Sequence, residues 1–351
     1  MKKKLLKIVP TVLVVILVLA LVQEILMPKY MSDIIEGAMI EEYYDAEKNH
    51  DVIFLGDCEV YETFSPCYLW EQYGISSYVR GSAQQLIWQS YYLLEDTLRY
   101  ETPEVVVFNI MSLMHAGPEN EAYNRMTLDG MRWSTSKWNS IQASMTEDEN
   151  VWEYVFPILR YHTRWSELTS EDFTYLFHKD KVTFEGYYMR VDVRPVTSVP
   201  DHKVLADYSF ADYPMEYLDK MRQLCDEKGI DLIFVKAPSL WPHWYDEWEA
   251  QVDEYADKYD ITYYNFLELA DAVGIDYSTD TYDAGMHMNL SGAEKMSDYL
   301  GYKLVNEHGV TVRSDDAAYK AIWDPKVEAY NQAIAEAIQA EETKKLNEIE
   351  K

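Results

Sequence analysis

The sequence predicts an α/β domain with a parallel β-sheet, preceded by an apolar N-terminal segment. Three observations predict this class: short apolar runs rich in β-branched residues, helical stretches between them, and Gly, Pro or capping residues at the boundaries. Strands that alternate with helices at this spacing pair in parallel through right-handed crossovers. The 351 residues suffice for one large domain or two small ones.

The N-terminal segment, residues 1–29, has the features of an uncleaved signal anchor. Four lysines lie within the first seven residues, and residues 8–22 carry no charge. A helix over residues 5–27 would be about 34 Å long, which is enough to cross a bilayer. No small-residue cleavage pattern follows it, although a cleaved signal peptide is the alternative. The lysines predict a single-pass cell-membrane protein with a cytoplasmic N-terminus and an extracytoplasmic main domain, residues 30–310.

The elements of that domain follow in order. Residues 30–50 indicate a short helix or stalk. Strands are predicted at residues 52–55, 74–79, 103–110, 230–235 and 261–264. Helices are predicted at residues 83–100, 213–228, 247–259 and 291–306, and in a C-terminal helical tail, 311–351. Gly229 is a helix-end signal, Ser291 and Glu294 fit a capping box, and Pro325 is expected to open the last helix.

Residues 111–206 break the alternation and are predicted to form a mostly helical insertion or cap. The segment carries Trp133, Trp138, Trp152 and Trp165 with many tyrosines. Such aromatic side chains suit a surface that stacks on sugars, but they also fill cores and cover clefts. His162 with Arg164 and Trp165 could form a second sugar or phosphate contact.

The formal net charge of −30 argues against nucleic acid as a partner and disfavours anionic lipid surfaces. Lys and Arg total 31 against 61 Asp and Glu. Nucleic-acid binding needs a positive field, so we expect no nucleic-acid partner. The charge also disfavours a domain lying flat on anionic lipid.

The candidate nucleophile is Cys58, which follows the first predicted strand in Gly56-Asp57-Cys58. Side chains at the carboxyl end of a parallel strand lie where ligands bind in α/β sheets. The three cysteines are Cys58, Cys67 and Cys225, and their odd number leaves at least one thiol free. A Cys58–Cys67 disulfide remains possible on spacing alone, and it would remove the nucleophile. No Cys or His spacing suggests a metal site.

A candidate base and its orienting acid lie near the other end of the chain. His287 occupies a loop before a predicted helix, and Asp283 precedes it by four residues. A carboxylate bonded to Nδ1 fixes the tautomer of an imidazole and leaves Nε2 free for a nucleophile. The non-catalytic alternative is a loop histidine that has an acidic neighbour by chance.

Together these motifs resemble the SGNH/GDSL hydrolase superfamily. Its members begin with a strand and Gly-Asp-Ser, where this chain has Gly56-Asp57-Cys58. They end with Asp-x-x-His, where this chain has Asp283 and His287 at a spacing one residue wider. The resemblance covers residues 51–109 and 230–306. The N-terminal anchor and the ending at residues 287–292, His-Met-Asn-Leu-Ser-Gly, are similar to the membrane-anchored branch, the D-alanyl-lipoteichoic-acid biosynthesis and alginate O-acetylation proteins.

The resemblance implies a three-layer α/β/α flavodoxin-like fold and acyl-group chemistry without a cofactor. It implies catalytic Cys58, His287 and Asp283, with an oxyanion hole formed by the N–H groups of Cys58 and Gly81. It also implies two partners: a cell-envelope polysaccharide or teichoic-acid-like polymer, and a membrane-bound O-acyltransferase.

Two departures from the family pattern bear on the chemistry. Cys58 replaces the serine nucleophile; a Cys–His pair is competent for acyl transfer, but the replacement could also mark a non-catalytic copy. The Gly-x-Asn-Asp block after strand three is absent, as is common in the anchored branch, and this leaves the third oxyanion donor unassigned.

Four further residues are candidates for substrate binding: Asp57, Gln84, Asn109 and Lys236. Gln84 could equally begin a helix, and Lys236 could equally be solvated. The sequence therefore predicts an extracytoplasmic acyltransferase or esterase acting on a cell-envelope polymer. The alternatives are a non-catalytic glycan-binding or scaffold partner of a membrane O-acyltransferase, and a free extracellular esterase.

Overall fold

The computed structural model describes residues 2–28, 36–179 and 181–349. Its centre is a five-stranded parallel sheet with the strand order β2-β1-β3-β4-β5, which confirms the predicted α/β class. The strands are β1 (Val52–Gly56), β2 (Ser77–Gly81), β3 (Val105–Asn109), β4 (Asp231–Lys236) and β5 (Thr262–Asn265).

The helices before β4 are α1 (Lys2–Leu26), α2 (Glu36–Glu42), α3 (Cys58–Tyr61), α4 (Pro66–Tyr73), α5 (Ile87–Thr97), α6 (Glu121–Leu128), α7 (Thr135–Ser144), α8 (Val151–Val155), α9 (Ile158–Tyr161), α10 (Ser170–Thr174) and α11 (Asp212–Lys228). Those after it are α12 (Asp246–Tyr259), α13 (Ala270–Val273), α14 (Leu290–Asn306) and α15 (Ala317–Ile349). Short 3₁₀ turns cover Tyr43–Asp45, Ile110–Met114 and His162–Ser166. Residue 29 of the predicted anchor and residues 30–35 of the predicted stalk lie outside the described residues.

Alternate residues of the strands point to opposite faces, and helices cover both. One face packs Ile53, Leu55, Val106 and Phe108 against α5, α11 and α12. The other packs Val52, Phe54, Val105 and Val107 against α4, α14 and α15. Strands buried on both faces read as continuous apolar runs, which is why the sequence revealed them.

Several element boundaries differ from the sequence predictions. The helix predicted from residue 83 begins at Ile87, and the last helix begins at Ala317 with Pro325 inside it. The predicted Ser291–Glu294 capping box is wrong: Asn289 is the N-cap of α14 and accepts a hydrogen bond from Gly292 N–H. Ser291 lies inside the first turn and donates to Asp280 at 2.9 Å.

The parallel register places the ends of neighbouring strands side by side. Gly56 pairs with Gly81, and Asn109 pairs with Val235, the residue before Lys236. Four strands therefore deliver candidate site residues to one edge of the sheet. That edge is the carboxyl edge, where the sequence predicts the site.

Residues of the insertion cover the free side of the edge strand β2. Val79 N–H donates to Glu185 C=O at 2.9 Å. Gly186 has a positive φ of 87°, and a Cβ there would lie 1.9 Å from the carbonyl oxygen of Val79. Only a glycine permits this approach, which protects an otherwise unpaired strand edge.

Helix α1 contains one stretch, Val9–Leu26, that is long and apolar enough to cross a membrane. Most of its side chains are exposed, but Leu26 in the last turn is buried. The guanidinium of Arg164 donates to the carbonyl oxygens of Leu26 and Met27 at 3.0 and 2.8 Å. The C-terminal carbonyls of α1 are therefore capped by the insertion.

Candidate active site

Cys58 lies where β1 ends and α3 begins. Gly56 has a φ of 152°, and a Cβ there would meet Val60 Cγ2 at 2.5 Å, so the chain turns tightly at this point. Asp57 is the N-cap of α3 and accepts a hydrogen bond from Glu59 N–H at 3.2 Å. The three cysteines are free thiols, so the Cys58–Cys67 disulfide that spacing allowed is not formed. Cys58 is half-buried, whereas Cys67 and Cys225 are buried.

His287 and Asp283 form the pair that the sequence predicts. His287 Nδ1 donates to Asp283 Oδ2 at 2.6 Å, and Asp283 Oδ1 accepts the N–H groups of Met286 and His287 at 3.1 and 2.9 Å. Burial raises the pKa of Asp283, but these hydrogen bonds and the His287 charge lower it overall. Asp283 is therefore an ionised carboxylate that fixes the imidazole tautomer.

Glu62 supplies a second carboxylate to the same imidazole, and the sequence analysis missed it. Glu62 Oε2 lies 3.3 Å from His287 Nδ1, and Oε1 accepts the Tyr282 hydroxyl at 2.7 Å. The Tyr282 ring stacks on His287 with centroids 5.9 Å apart. Burial raises the pKa of Glu62 to about 7. The available signal was its position four residues after Cys58, one helical turn away.

The other nitrogen of His287, Nε2, is buried. Among the residues that the structure describes, His287 Nε2 has no hydrogen-bond partner. Burial and the Asp57 carboxylate raise the pKa of the Cys58 thiol to about 11, while His287 lowers it. Burial lowers the pKa of His287, but Cys58, Asp283 and Glu62 raise it overall. Each group therefore favours the charged form of the other, the Cys58 thiolate and the His287 imidazolium.

Gly81 is the last residue of β2 and lies beside the turn that carries Cys58. A Cβ at Gly81 would lie 3.0 Å from the carbonyl oxygen of Gly56 and 3.3 Å from that of Asp57. This close approach leaves no room for a side chain without movement of the backbone. Donation of the Gly81 and Cys58 N–H groups to an oxyanion stays a prediction.

A buried polar cluster lies beneath the start of α3. Lys236 Nζ lies 3.2 Å from both carboxylate oxygens of Glu59 and donates to Ser239 Oγ at 2.9 Å. Asn109 Nδ2 donates to Glu59 Oε2 at 2.9 Å and to Asp57 Oδ1 at 3.1 Å. Burial and the Glu59 carboxylate raise the pKa of Asp57 to about 6.

This cluster changes how two substrate-binding candidates are interpreted. Lys236 and Asn109 are buried, and each contacts Glu59, which the sequence analysis did not select. Their placement favours a role in positioning the turn at Asp57 over direct contact with substrate. Gln84 is exposed with a φ of 51°, so its side chain remains available for binding. Its neighbour Gln85 is buried and bonds to Arg80 and Ser90.

The end of the insertion holds the loop that carries the acid and base. The Arg190 carbonyl accepts Leu290 N–H at 2.6 Å, and Arg194 bonds to Thr281 and Ala284 through its backbone at 2.9 and 3.2 Å. Residues 190–194 thus run beside the loop at both ends of the Asp283–His287 segment. The insertion therefore contributes to the site, and no local sequence pattern indicated this contact.

No family model and no curated protein matches this chain. Within residues 2–28, 36–179 and 181–349, no group of three or more His, Cys, Asp or Glu residues is arranged to hold a metal ion. The chemical interpretation of the site therefore depends on its own geometry. That geometry is a strand-end thiol, an imidazole with a free buried nitrogen, and two carboxylates on the opposite nitrogen.

Proposed function

We propose that the chain is a membrane-anchored acyltransferase or esterase that acts on an acyl group of a cell-envelope polymer. The observation that carries the proposal is the placement of His287. Its Nδ1 is bound to Asp283, its buried Nε2 has no hydrogen-bond partner among the described residues, and its ring interacts electrostatically with Cys58. This division of the two nitrogens is what a general base for a thiol nucleophile requires.

The proposed reaction proceeds in two acyl transfers. Starting from the thiol and a neutral imidazole, His287 Nε2 takes the Cys58 proton, and the thiolate attacks the ester carbonyl. The Cys58 and Gly81 N–H groups stabilise the oxyanion, and His287 returns the proton to the leaving alcohol as the thioester forms. A polymer hydroxyl or water then gives its proton to His287 and attacks the thioester. Cys58 leaves as the thiolate and takes this proton back from His287, which restores the thiol and the neutral imidazole.

The proposal includes a flavodoxin-like, SGNH-type fold and a single-pass membrane topology. The strand order β2-β1-β3-β4-β5 with helices on both faces supports a flavodoxin-like, SGNH-type domain. The apolar helix α1 and the preceding lysines support a single-pass anchor with the domain outside. A membrane-bound O-acyltransferase as the acyl donor's source is supported only by the resemblance.

A second candidate function is a non-catalytic scaffold that holds glycan beside a transferase. The raised pKa of Cys58 favours it, because a neutral thiol is a poor nucleophile. In cells, the catalytic proposal predicts that Cys58→Ala and His287→Ala each change the acylation of the polymer, lowering it for an acyltransferase and raising it for an esterase. The control Cys225→Ala, at a thiol remote from the site, should leave it unchanged. Normal acylation with both site variants would favour the scaffold.

A further inference from the structure

Four large apolar side chains of the insertion are exposed close to the end of α1. They lie on α9, on the 3₁₀ turn His162–Ser166, on α10 and just beyond it. Trp165 is 72% exposed and Phe177 is 91% exposed. We call the set the aromatic patch: Leu159, Trp165, Phe173 and Phe177. A soluble surface gains nothing from these side chains, so an occupant is expected.

The segments that bear the patch are fixed to the last turn of α1. Helix α1 packs on α9, on the 3₁₀ turn and on α10. Arg164, the residue before Trp165, caps the Leu26 and Met27 carbonyls and also bonds to Asp172 of α10 at 2.9 Å. The patch therefore lies at the level where the apolar helix ends. These bonds also occupy Arg164, which weakens its predicted role as a sugar or phosphate contact.

The depth of this level follows from the helix itself. The stretch Val9–Leu26 has 18 residues, which corresponds to about 27 Å of helix, close to the thickness of a bilayer core. When α1 spans the membrane, Leu26 lies at the boundary between acyl chains and headgroups. Tryptophan and other aromatic residues concentrate at this boundary because one part of the ring is apolar and another can meet water.

The local charge permits contact with lipid even though the chain as a whole is acidic. Residues 151–179 contain three Lys or Arg against four Asp or Glu, whereas the whole chain carries −30. Attraction to anionic lipid is therefore not the driving force. Burial of apolar rings in a neutral, zwitterionic interface requires no positive field.

We propose that the aromatic patch inserts into the membrane–water interface beside α1 and fixes the orientation of the domain relative to the bilayer. The occupant is lipid at the headgroup boundary, since the patch continues the surface of the spanning helix. The proposal rests on the anchor described under the proposed function, but not on the acyl chemistry. A flexible tether would leave the domain free to rotate, whereas this contact presents one fixed side of it to the membrane.

The test uses the full chain in phosphatidylcholine nanodiscs. Single cysteines replace the exposed Ser166 or Ser170 next to the patch, in a Cys58→Ser background whose two other thiols are buried. The control is Asp257→Cys, an exposed position on α12, which packs on the edge strand β5. Helix α2, the next helix after α1 in the chain, packs on β2 at the opposite edge of the sheet. Nitroxide labels report accessibility to oxygen, which concentrates in lipid, and to a nickel chelate, which stays in water.

We expect the oxygen-to-nickel accessibility ratio at Ser166→Cys and Ser170→Cys to be several-fold higher than at Asp257→Cys. Replacing Trp165 and Phe177 with Ala should return the ratio toward the control value without unfolding, because both side chains are exposed. Accessibility ratios equal to that of the control would overturn the proposal. Dipolar broadening that appears only with two chains per disc would also overturn it, because it would indicate that a second copy of the chain covers the aromatic patch. If the chain does not copurify with nanodiscs, the membrane anchor proposed for α1 is wrong. This outcome is distinguishable from the two results above, which concern the aromatic patch alone.

Discussion

His287 lies between two carboxylates of different character. Asp283 is held ionised by three hydrogen bonds, whereas burial leaves Glu62 with a pKa near neutrality. The difference arises from their surroundings: Asp283 accepts backbone N–H groups, while Glu62 Oε2 is buried and has no hydrogen-bond partner among the described residues. Pairs whose environments separate their pKa values commonly take different roles.

Glu62 makes the stability of the protein depend on pH. Its pKa rises from 4.5 to about 7 on folding, so the folded state binds a proton that the unfolded state releases. The free energy of unfolding should therefore fall as pH rises from about 4.5 to about 7, by on the order of 3 kcal/mol from this group. Denaturation of Glu62→Gln should show a flatter pH dependence over this window. Equal slopes for the two proteins would contradict the assignment.

The Lys236–Glu59 ion pair is fully buried, and this predicts asymmetric effects of mutation. Lys236→Met leaves the Glu59 carboxylate uncompensated, and we expect it to lower the free energy of unfolding by about 3–5 kcal/mol. The double variant with Glu59→Gln should recover much of that loss, because no buried charge remains. Denaturant titration checks both. A double variant as unstable as the sum of the single changes would argue that the two side chains do not interact.

At the scale of elements, the sequence predicted the strands better than the helix starts. Apolar runs such as residues 52–55 stand out because both faces of a parallel sheet are buried. The start of α14 was placed wrongly because Ser291 and Glu294 fit a local pattern, whereas the N-cap depends on Asn289 and its contacts with Asp192 and Thr279. Glu59 was missed for the same reason, since only tertiary packing brings it to Lys236.

Asn289 couples helix α14 to the loop that carries His287. Its Oδ1 caps Gly292 N–H, and its Nδ2 donates to the Thr279 and Asp192 carbonyls at 2.8 and 3.2 Å. We expect Asn289→Ala to lower the free energy of unfolding by about 1–2 kcal/mol and to reduce ester turnover. The matched control is Asn306→Ala at the other end of α14, where the exposed side chain donates to the Tyr302 carbonyl within the same helix. Similar losses in both variants would contradict a special role for Asn289.

In the whole molecule, the insertion connects the apolar N-terminal helix to the candidate active site. Its α9–α10 region caps the end of α1, and its extended end, residues 190–194, supports the Asp283–His287 loop. Sequence reasoning could identify this segment as an insertion and note its aromatic content. It could not assign the contacts, because helical patterns and extended segments carry no information about which distant loop they pack against. The apolar N-terminal helix and the paired Asp283 and His287 were identifiable because local sequence specifies each.

The proposed chemistry requires that Cys58 becomes acylated, and mass spectrometry of the full chain after exposure to p-nitrophenyl acetate detects this product. We expect a hydroxylamine-sensitive acetyl group on the peptide that contains Cys58, with Cys67 and Cys225 unmodified because they are buried. His287→Gln should slow its formation by about 10³-fold or more, while Cys225→Ala should leave the rate unchanged. Absence of the adduct, or equal formation in His287→Gln, would contradict the catalytic account.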